Sequence, residues 1–337
     1  MFDAVTFDHT GDASVLRAVR LTPEPIGPRD VRIRQRWAGV NFIDVYHRTG
    51  LYPVPSLPAI PGVEAAGVVE AIGRDVDGLE VGQPVAWAGL PMGGYAQSRV
   101  IAADRVIGLP DHVSERVAAG AMLRGITAHM LLHRVWPVSR GDSVLVHAAA
   151  GGLGLILTQW AKRLGATVIG TVGSEEKAQA ALEAGVDHIL LHKRENIPAR
   201  VRDLTCGSGV DVVYDGVGGS TLLQSLDCVR PFGLVVSLGQ ASGSLPEIPL
   251  TELGPRRSIA IARPSVVAYA SNGATYRTAT SELFAALGDG LRIHVGAAFP
   301  LAEARAAHEA LEAGQTSGSV LLDLRGDADG REKGARA

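Results

Sequence analysis

The passage from residue 143 to 166 constrains this chain more than any other. It runs from the apolar SVLV through HAAAGGLG into LILTQWAKRLGA. A short apolar run bounded by glycines reads as a buried strand. Beyond it Leu153, Ile156, Leu157, Trp160, Ala161 and Leu164 recur at three- and four-residue spacing, which predicts an amphipathic helix. Gly165 then stands where a helix stop belongs. Between strand and helix lie Gly151, Gly152 and Gly154, so the corner reads A-x-G-x-x-G from Ala149. Gly151 and Gly152 would admit a pyrophosphate close to the backbone. Gly154 would let helix and strand pack tightly. Leu153 lies among the first amides of the helix, which would face the phosphate oxygens. A tight strand-to-helix turn that binds nothing fits the same residues.

The next predicted strand, ATVIGTVG, bears on that choice. A carboxylate at its end, about 20 residues past the glycines, would hold a ribose 2′-hydroxyl. Here Gly173 and Ser174 occupy that place, and Lys177 follows one turn into the next helix. A missing acid with a lysine nearby suits a 2′-phosphate, hence NADP. Glu175 and Glu176 begin that helix, where acidic residues favour the dipole anyway, and are read as solvent-facing. A lysine on a helix is, however, most often an ordinary surface residue.

Around this centre the chain changes rhythm. Residues 1–120 hold short β-like runs separated by turn residues, as in DVRIRQRWAGV and AAGVVEAIG. They read as a mostly antiparallel β domain. Residues 121–262 alternate strands and helices, the pattern of βαβ units on a parallel sheet. From 263 to 325 come two helical stretches and a final strand, and 326–337 form a polar tail expected to be disordered. The fold class expected is α/β, with a doubly wound Rossmann sheet inserted into a β-rich domain.

Composition narrows the function. The 337 residues include 46% hydrophobic and 20% charged, with a net charge of −3. That balance fits a globular core and a small-molecule partner and weighs against nucleic acid. Cys206 and Cys228 are the only cysteines, too few for a four-cysteine zinc site. No apolar run reaches membrane-spanning length, and the N-terminal MFDAVTFDHTG lacks the basic and apolar regions of a signal peptide. A cytoplasmic protein is expected. No two of the ten histidines are read as a compact ligand pair, so no metal site is expected.

The stretches GVNFIDVYHRTGLYP, PGVEAAGVV, GGYAQ, LRGITAHMLL, the glycine corner through SEEKA, VDVVYDGVGG and ARPS carry a wider likeness. Over about residues 10–322 the chain resembles the zinc-independent quinone oxidoreductases of the medium-chain dehydrogenase/reductase superfamily, the zeta-crystallin-like branch. The resemblance implies a GroES-like catalytic domain, a Rossmann domain, a homodimer and NADPH-dependent reduction of a quinone. It implies Ala at position 149. Zinc relatives carry Cys near position 41 and His before Glu64, where this chain has Asn41 and Val63.

The resemblance also names residues. Asn41, Tyr46 and Tyr52 correspond to positions around nicotinamide and substrate, as the candidate catalytic set. Without the likeness, both tyrosines would read as packing residues. Thr127 would touch the nicotinamide. Val217, Gln240, Ser242, Gly243, Arg263 and Ser265 would line the cofactor. His192 stands where relatives often have Tyr against the 2′-phosphate, and Gly314 where some have Arg, so NADP preference would be weaker; Lys193 could compensate. No indispensable acid is expected, because a reduced quinone takes its protons from Tyr52 or water. Two other readings share the fold: an NADPH-dependent reductase of activated alkenes, and a protein that holds NADPH without turnover, including one that binds RNA. For the homodimer, GLVVSLG could serve as a pairing edge, or be covered within one subunit.

Overall fold

The computed structural model describes residues 1–326. The tail expected to be disordered, 326–337, lies outside the described residues except for Gly326. The chain forms two compact units, one of residues 1–126, 267–289 and 295 onward, the other of 127–266 and 290–294.

The first unit begins with a hairpin, β1 (Phe2–Thr6) and β2 (Arg17–Leu21), followed by the long strand β3 (Asp30–Val40). In β3 the sequence alternates Val31, Ile33, Gln35 and Trp37 with Arg32, Arg34 and Arg36. That period of two puts the first set into the core and the arginines on the other face. Gln35 is the polar member of the inward set and is buried. Its Nε2 donates to the carbonyls of Gly93 and Ala96 at 3.0 and 2.7 Å, and its Oε1 accepts from Trp87 Nε1 at 2.7 Å. Each group that burial strips of water is thus paired. Helix α1 (Phe42–Thr49) follows directly and ends at Gly50, whose φ of 83° is the left-handed stop that glycine adopts without strain.

β4 (Glu64–Ile72), β5 (Pro84–Ala88), β6 (Ser98–Ala102) and β7 (Ile107–Gly108) build outward from β3 by antiparallel pairing. Helix α2 spans Glu115–His129. A π-helical turn continues it over Met130–Val135.

The second unit carries β8 (Ser143–Val146), α3 (Gly152–Arg163), β9 (Thr167–Val172), α4 (Glu175–Glu183), β10 (His188–Leu191), α5 (Ile197–Leu204), β11 (Val210–Asp215), α6 (Ser220–Leu226), β12 (Val229–Ser237), α7 (Leu250–Leu253) and β13 (Ala260–Ala262). All six strands are parallel, in the order β10-β9-β8-β11-β12-β13. Counted within the unit this is 3-2-1-4-5-6, the doubly wound order whose direction switches beside its first strand. Leu145, Ile169, Leu190, Val213 and Val235 fill the core between sheet and helices. GLVVSLG belongs to β12, which β13 covers from within the subunit. It is therefore not an edge, and the second of its two readings is the correct one.

The chain closes with α8 (Val266–Ser271), α9 (Gly273–Gly288), β14 (Val295–Pro300), α10 (Ala304–Glu312) and β15 (Ser319–Asp323). β15 returns to the first sheet and pairs antiparallel with β3, Leu322 opposite Ala38, while β14 lies parallel on its outer side.

Candidate functional site

The glycine corner lies at the carboxyl end of β8, beside the switch point where open parallel sheets bind ligands. Ala148 is held at φ 51°, a left-handed backbone uncommon for a residue with a Cβ. The turn closes through Gly151 N to Ala148 O at 2.8 Å, and Ala149 N donates to Thr171 O at 2.9 Å. A Cβ on Gly154 would lie 2.4 Å from Ala148 O and 2.8 Å from the Ala149 Cα, so only glycine lets α3 approach the strand this closely. Gly151 is the N-cap of α3 and offers no side chain to its first amides. The amides of Gly152 and Leu153 therefore point outward at a positive helix end, the arrangement that binds phosphate.

After β9, Ser174 caps α4 by accepting from Lys177 N at 3.4 Å. A concavity of about 360 Å³ opens there, lined by Gly173, Ser174, Glu175, Glu176, Leu191, Lys193 and Arg194. Both glutamates are exposed as expected, and Arg194 engages Glu175 at 2.6 Å. A Cβ on Gly173 would sit 3.3 Å from His192 Nε2. Partial burial and then the charge of Lys193 hold both Lys177 and His192 below their usual pKa ranges. Lys177, His192 and Lys193 thus stand where an acid would bind a ribose, with the His192 ring held toward its neutral form.

The later cofactor candidates cluster in the same unit. Val217 O accepts from both the amide and the hydroxyl of Ser242 at 2.9 Å. Arg263 donates to Gln240 Oε1 at 3.1 Å and to Ser237 at 2.8 Å. Gly243 closes its turn at φ 120°, and exposed Ser265 follows two residues after Arg263. Thr127 lies on α2 and is half-buried. Gly314, at φ 63°, belongs to the first unit.

In the first unit Asn41, Tyr46 and Tyr52 come together around α1. Asn41 precedes the helix and donates its backbone amide to Asp44 Oδ2 at 2.8 Å. Its side chain donates to Glu64 Oε1 at 2.7 Å. The rings of Tyr46 and Tyr52 meet edge to face at 5.2 Å, and Tyr52 N donates to Tyr46 O at 3.0 Å. Tyr46 is buried and Tyr52 half-buried.

Sequence reasoning passed over the group that fixes this set. Glu64 is fully buried and accepts from Asn41, from Arg124 Nη1 at 3.0 Å and from Leu123 N at 2.8 Å. Burial pushes its carboxyl up, and Arg124 pulls it back. A lone glutamate in the apolar PGVEAAGVV was the available signal, since an acid is buried only when paired.

The reading that no two histidines form a compact pair needs correction. His129 and His133, four residues apart, hold their rings 4.9 Å apart against Trp160. One helical turn brings such residues to the same face. Among the described residues no group of three or more His, Cys, Asp or Glu could hold a metal.

A six-stranded sheet of this order, with a glycine corner at its switch point, is the framework of dinucleotide-binding oxidoreductases. Residues 27–111 match the alcohol dehydrogenase GroES-like domain family, and residues 152–285 the zinc-binding dehydrogenase family. A quinone oxidoreductase of Pseudomonas aeruginosa is 42% identical over 323 residues, 96% of this chain and 99% of the relative. A 2-haloacrylate reductase of a Burkholderia species is 44% identical over 304 residues, 88% of this chain and 91% of the relative. The structure of Escherichia coli quinone oxidoreductase complexed with NADPH superposes with a TM-score of 0.92 at 39% identity, covering 95% of this chain and 99% of the other. The chain belongs to the zinc-independent quinone oxidoreductase family of the medium-chain dehydrogenase/reductase superfamily.

Proposed function

We propose that this chain is an NADPH-dependent quinone oxidoreductase. The observation that carries the reading is the bare-amide corner at Gly151–Gly154, followed after β9 by a concavity where Gly173 and Ser174 replace the strand-end acid and Lys193 and Arg194 stand beside Glu175 and Glu176. The first suits a pyrophosphate and the second a 2′-phosphate, so the residues present fit NADPH.

The amides of Gly152 and Leu153 would hold the pyrophosphate, and Ser174, Lys177, His192 and Lys193 the 2′-phosphate. Thr127, Val217, Gln240, Ser242, Gly243, Arg263 and Ser265 would line the rest of the cofactor. When bound, the cofactor supplies the hydride; the protein supplies position and electrostatics. Asn41, fixed by Glu64, would orient a carboxamide or quinone oxygen. Tyr46 would pack against the ring. Tyr52, less buried, would donate a proton or pass one from water. The domains we propose are 1–120 and 263–325 for catalysis and 121–262 for the nucleotide. Cytoplasmic residence and a homodimer complete the reading; among the described residues no helix is long and apolar enough to cross a membrane.

The deciding experiment is NADPH oxidation with a naphthoquinone and an enone side by side. A kcat/KM at least tenfold higher for the quinone supports the proposal, and the reverse order overturns it. Reduction of an activated alkene is the second reading, favoured by the 44% identity to a 2-haloacrylate reductase. Salt-sensitive RNA binding without any NADPH oxidation would point instead to a non-enzymatic role.

A further inference from the structure

A buried chain of side chains in the second unit has no member among the residues that the proposed function uses. Thr171, His147, Ser225 and Asp215 are all at most 5% exposed. Thr171 Oγ1 lies 3.0 Å from His147 Nδ1, His147 Nε2 lies 3.1 Å from Ser225 Oγ, and Ser225 Oγ lies 3.0 Å from Asp215 Oδ2.

The hydrogens of this chain can be assigned by elimination. The Ser225 hydroxyl donates to Asp215 Oδ2. The carbonyl of Thr221, also at 3.0 Å, accepts from the same hydroxyl, so its single hydrogen is committed to oxygen acceptors. Ser225 Oγ must then accept from His147 Nε2–H. The neutral ring is left with Nδ1 as an acceptor, which the Thr171 hydroxyl fills. Burial favours this neutral imidazole and holds its pKa below the usual range, partly offset by Asp215.

The residue types are those of a hydrolytic triad, but the order is not. In a triad, histidine stands between acid and nucleophile and takes the nucleophile's proton. Here Ser225 stands between His147 and Asp215, gives its hydrogen to the acid, and is 0% exposed. It cannot attack a substrate.

The place of the chain in the fold suggests a different role. Asp215 ends β11, and its Oδ1 accepts from the amides of Val217 and Gly218 at 2.8 and 2.9 Å, shaping the loop beyond. Ser225 is on α6. His147 is the first residue of the glycine corner after β8. Thr171 lies in β9, two residues before Gly173. β9, β8 and β11 are neighbours in the sheet, so one hydrogen-bonded path links the loops at three adjacent carboxyl ends.

We propose that Thr171, His147, Ser225 and Asp215 form a positioning relay that locks three nucleotide-binding loops in mutual register, setting dinucleotide affinity without touching the dinucleotide. The inference rests on the NADPH reading above. Preorganised loops lose less freedom on binding, and that saving appears as affinity.

The test compares Thr171→Val, which removes the hydroxyl at nearly constant volume, with Thr171→Ser, which keeps it, and adds Ser225→Ala and the double variant Thr171→Val/Ser225→Ala. NADPH Kd is read by fluorescence titration, alongside kcat at saturation and the Tm. Thr171→Val and Ser225→Ala are each expected to raise Kd about tenfold, or about 1.4 kcal/mol, with kcat within twofold of the parent. Thr171→Ser is expected to restore Kd to within twofold. The double variant is expected to bind no more weakly than the weaker single one, because either break disconnects the relay. A hundredfold loss in the double variant means two independent contacts and overturns the relay. So does a lowered Tm with unchanged Kd.

Should the parent bind no NADPH, the functional reading falls by itself. Amide hydrogen exchange at Val217 and Gly218 then decides the relay: faster exchange in Thr171→Val but not in Thr171→Ser supports it, and equal exchange rejects it. If Ser225→Ala does not fold, the two Thr171 variants carry the same comparison.

Discussion

Ala149 puts a methyl group where a dinucleotide corner usually has its first glycine, yet nothing in the local backbone asks for glycine there. The left-handed turn falls one residue earlier, at Ala148, while the tight helix–strand approach falls at Gly154. The motif was legible because its spacing reports backbone geometry. Residues whose role depends on distant partners were not. His147 and Ser225 are 78 positions apart in the chain and 3.1 Å apart in space, and neither stands in a pattern of its own. Two predictions belong to single side chains. Lys177→Ala is expected to raise KM for NADPH about tenfold and leave KM for NADH unchanged, by removing one charge-assisted contact. If the parent already uses NADH with as low a KM, the assignment of Gly173, Ser174 and Lys177 is wrong. Tyr52→Phe is expected to lower kcat less than about 100-fold, since water can replace a hydroxyl donor; a loss near 10⁴-fold would make Tyr52 an indispensable acid.

Among elements, the parallel sheet was readable because each strand is a short apolar run between helical repeats. Helix α1 was overlooked inside a segment read as β, although Asn41 before it and Gly50 after it are start and stop signals. Eight residues buried on nearly every side, Asp44 to Arg48 in succession, give too little periodicity to stand out among strands. β14 was overlooked for a related reason: VGAAFP is only half-buried and its alternation is carried by small residues. The buried path from α1 to α10 has a consequence for acid stability. Asp44 meets Tyr95 Oη at 3.3 Å, Tyr95 meets His308 Nε2 at 2.9 Å, and His308 Nδ1 meets Arg48 Nη1 at 3.3 Å. Burial, then the nearby Arg48, hold His308 down at about 3, against 6.5 when unfolded. The unfolded chain therefore binds this proton first, and the stability contributed by neutral His308 is complete above pH 6.5 and lost as pH falls toward 3. Asp44, pushed up to about 7 by burial, acts oppositely: its contribution is present below 3.8 and lost as pH rises through 7. His308→Gln is expected to flatten the acid-side loss of stability in urea unfolding by up to about 1.4 kcal/mol per pH unit. An unchanged slope between about pH 6 and 4 would contradict this.

For the whole molecule, the covered position of β12 moves any strand-to-strand association to the outer strands β10 and β13. Light scattering is expected to give twice the chain mass, and Ala260→Glu, at an exposed position of β13, is expected to shift it toward the single chain. A parent of single-chain mass would remove the dimer from the proposed function. The first sheet carries a hazard that the finished fold conceals. β4 covers one flank of β3 and β6 covers the other over Asp30–Arg34, but the rest of that second flank, Trp37–Val40, waits for β15, where Leu322 pairs with Ala38. During synthesis at roughly 5–20 residues per second, that flank stays open for tens of seconds while the whole parallel-sheet unit emerges. A nascent chain thus carries Trp37–Val40 as an unpaired stretch of strand edge until β15 emerges, the kind of surface on which chains join one another. Truncation after Thr316, before β15, is expected to turn that passing hazard into a permanent one, seen as insoluble product; a soluble truncated chain would show that β3 needs no late partner.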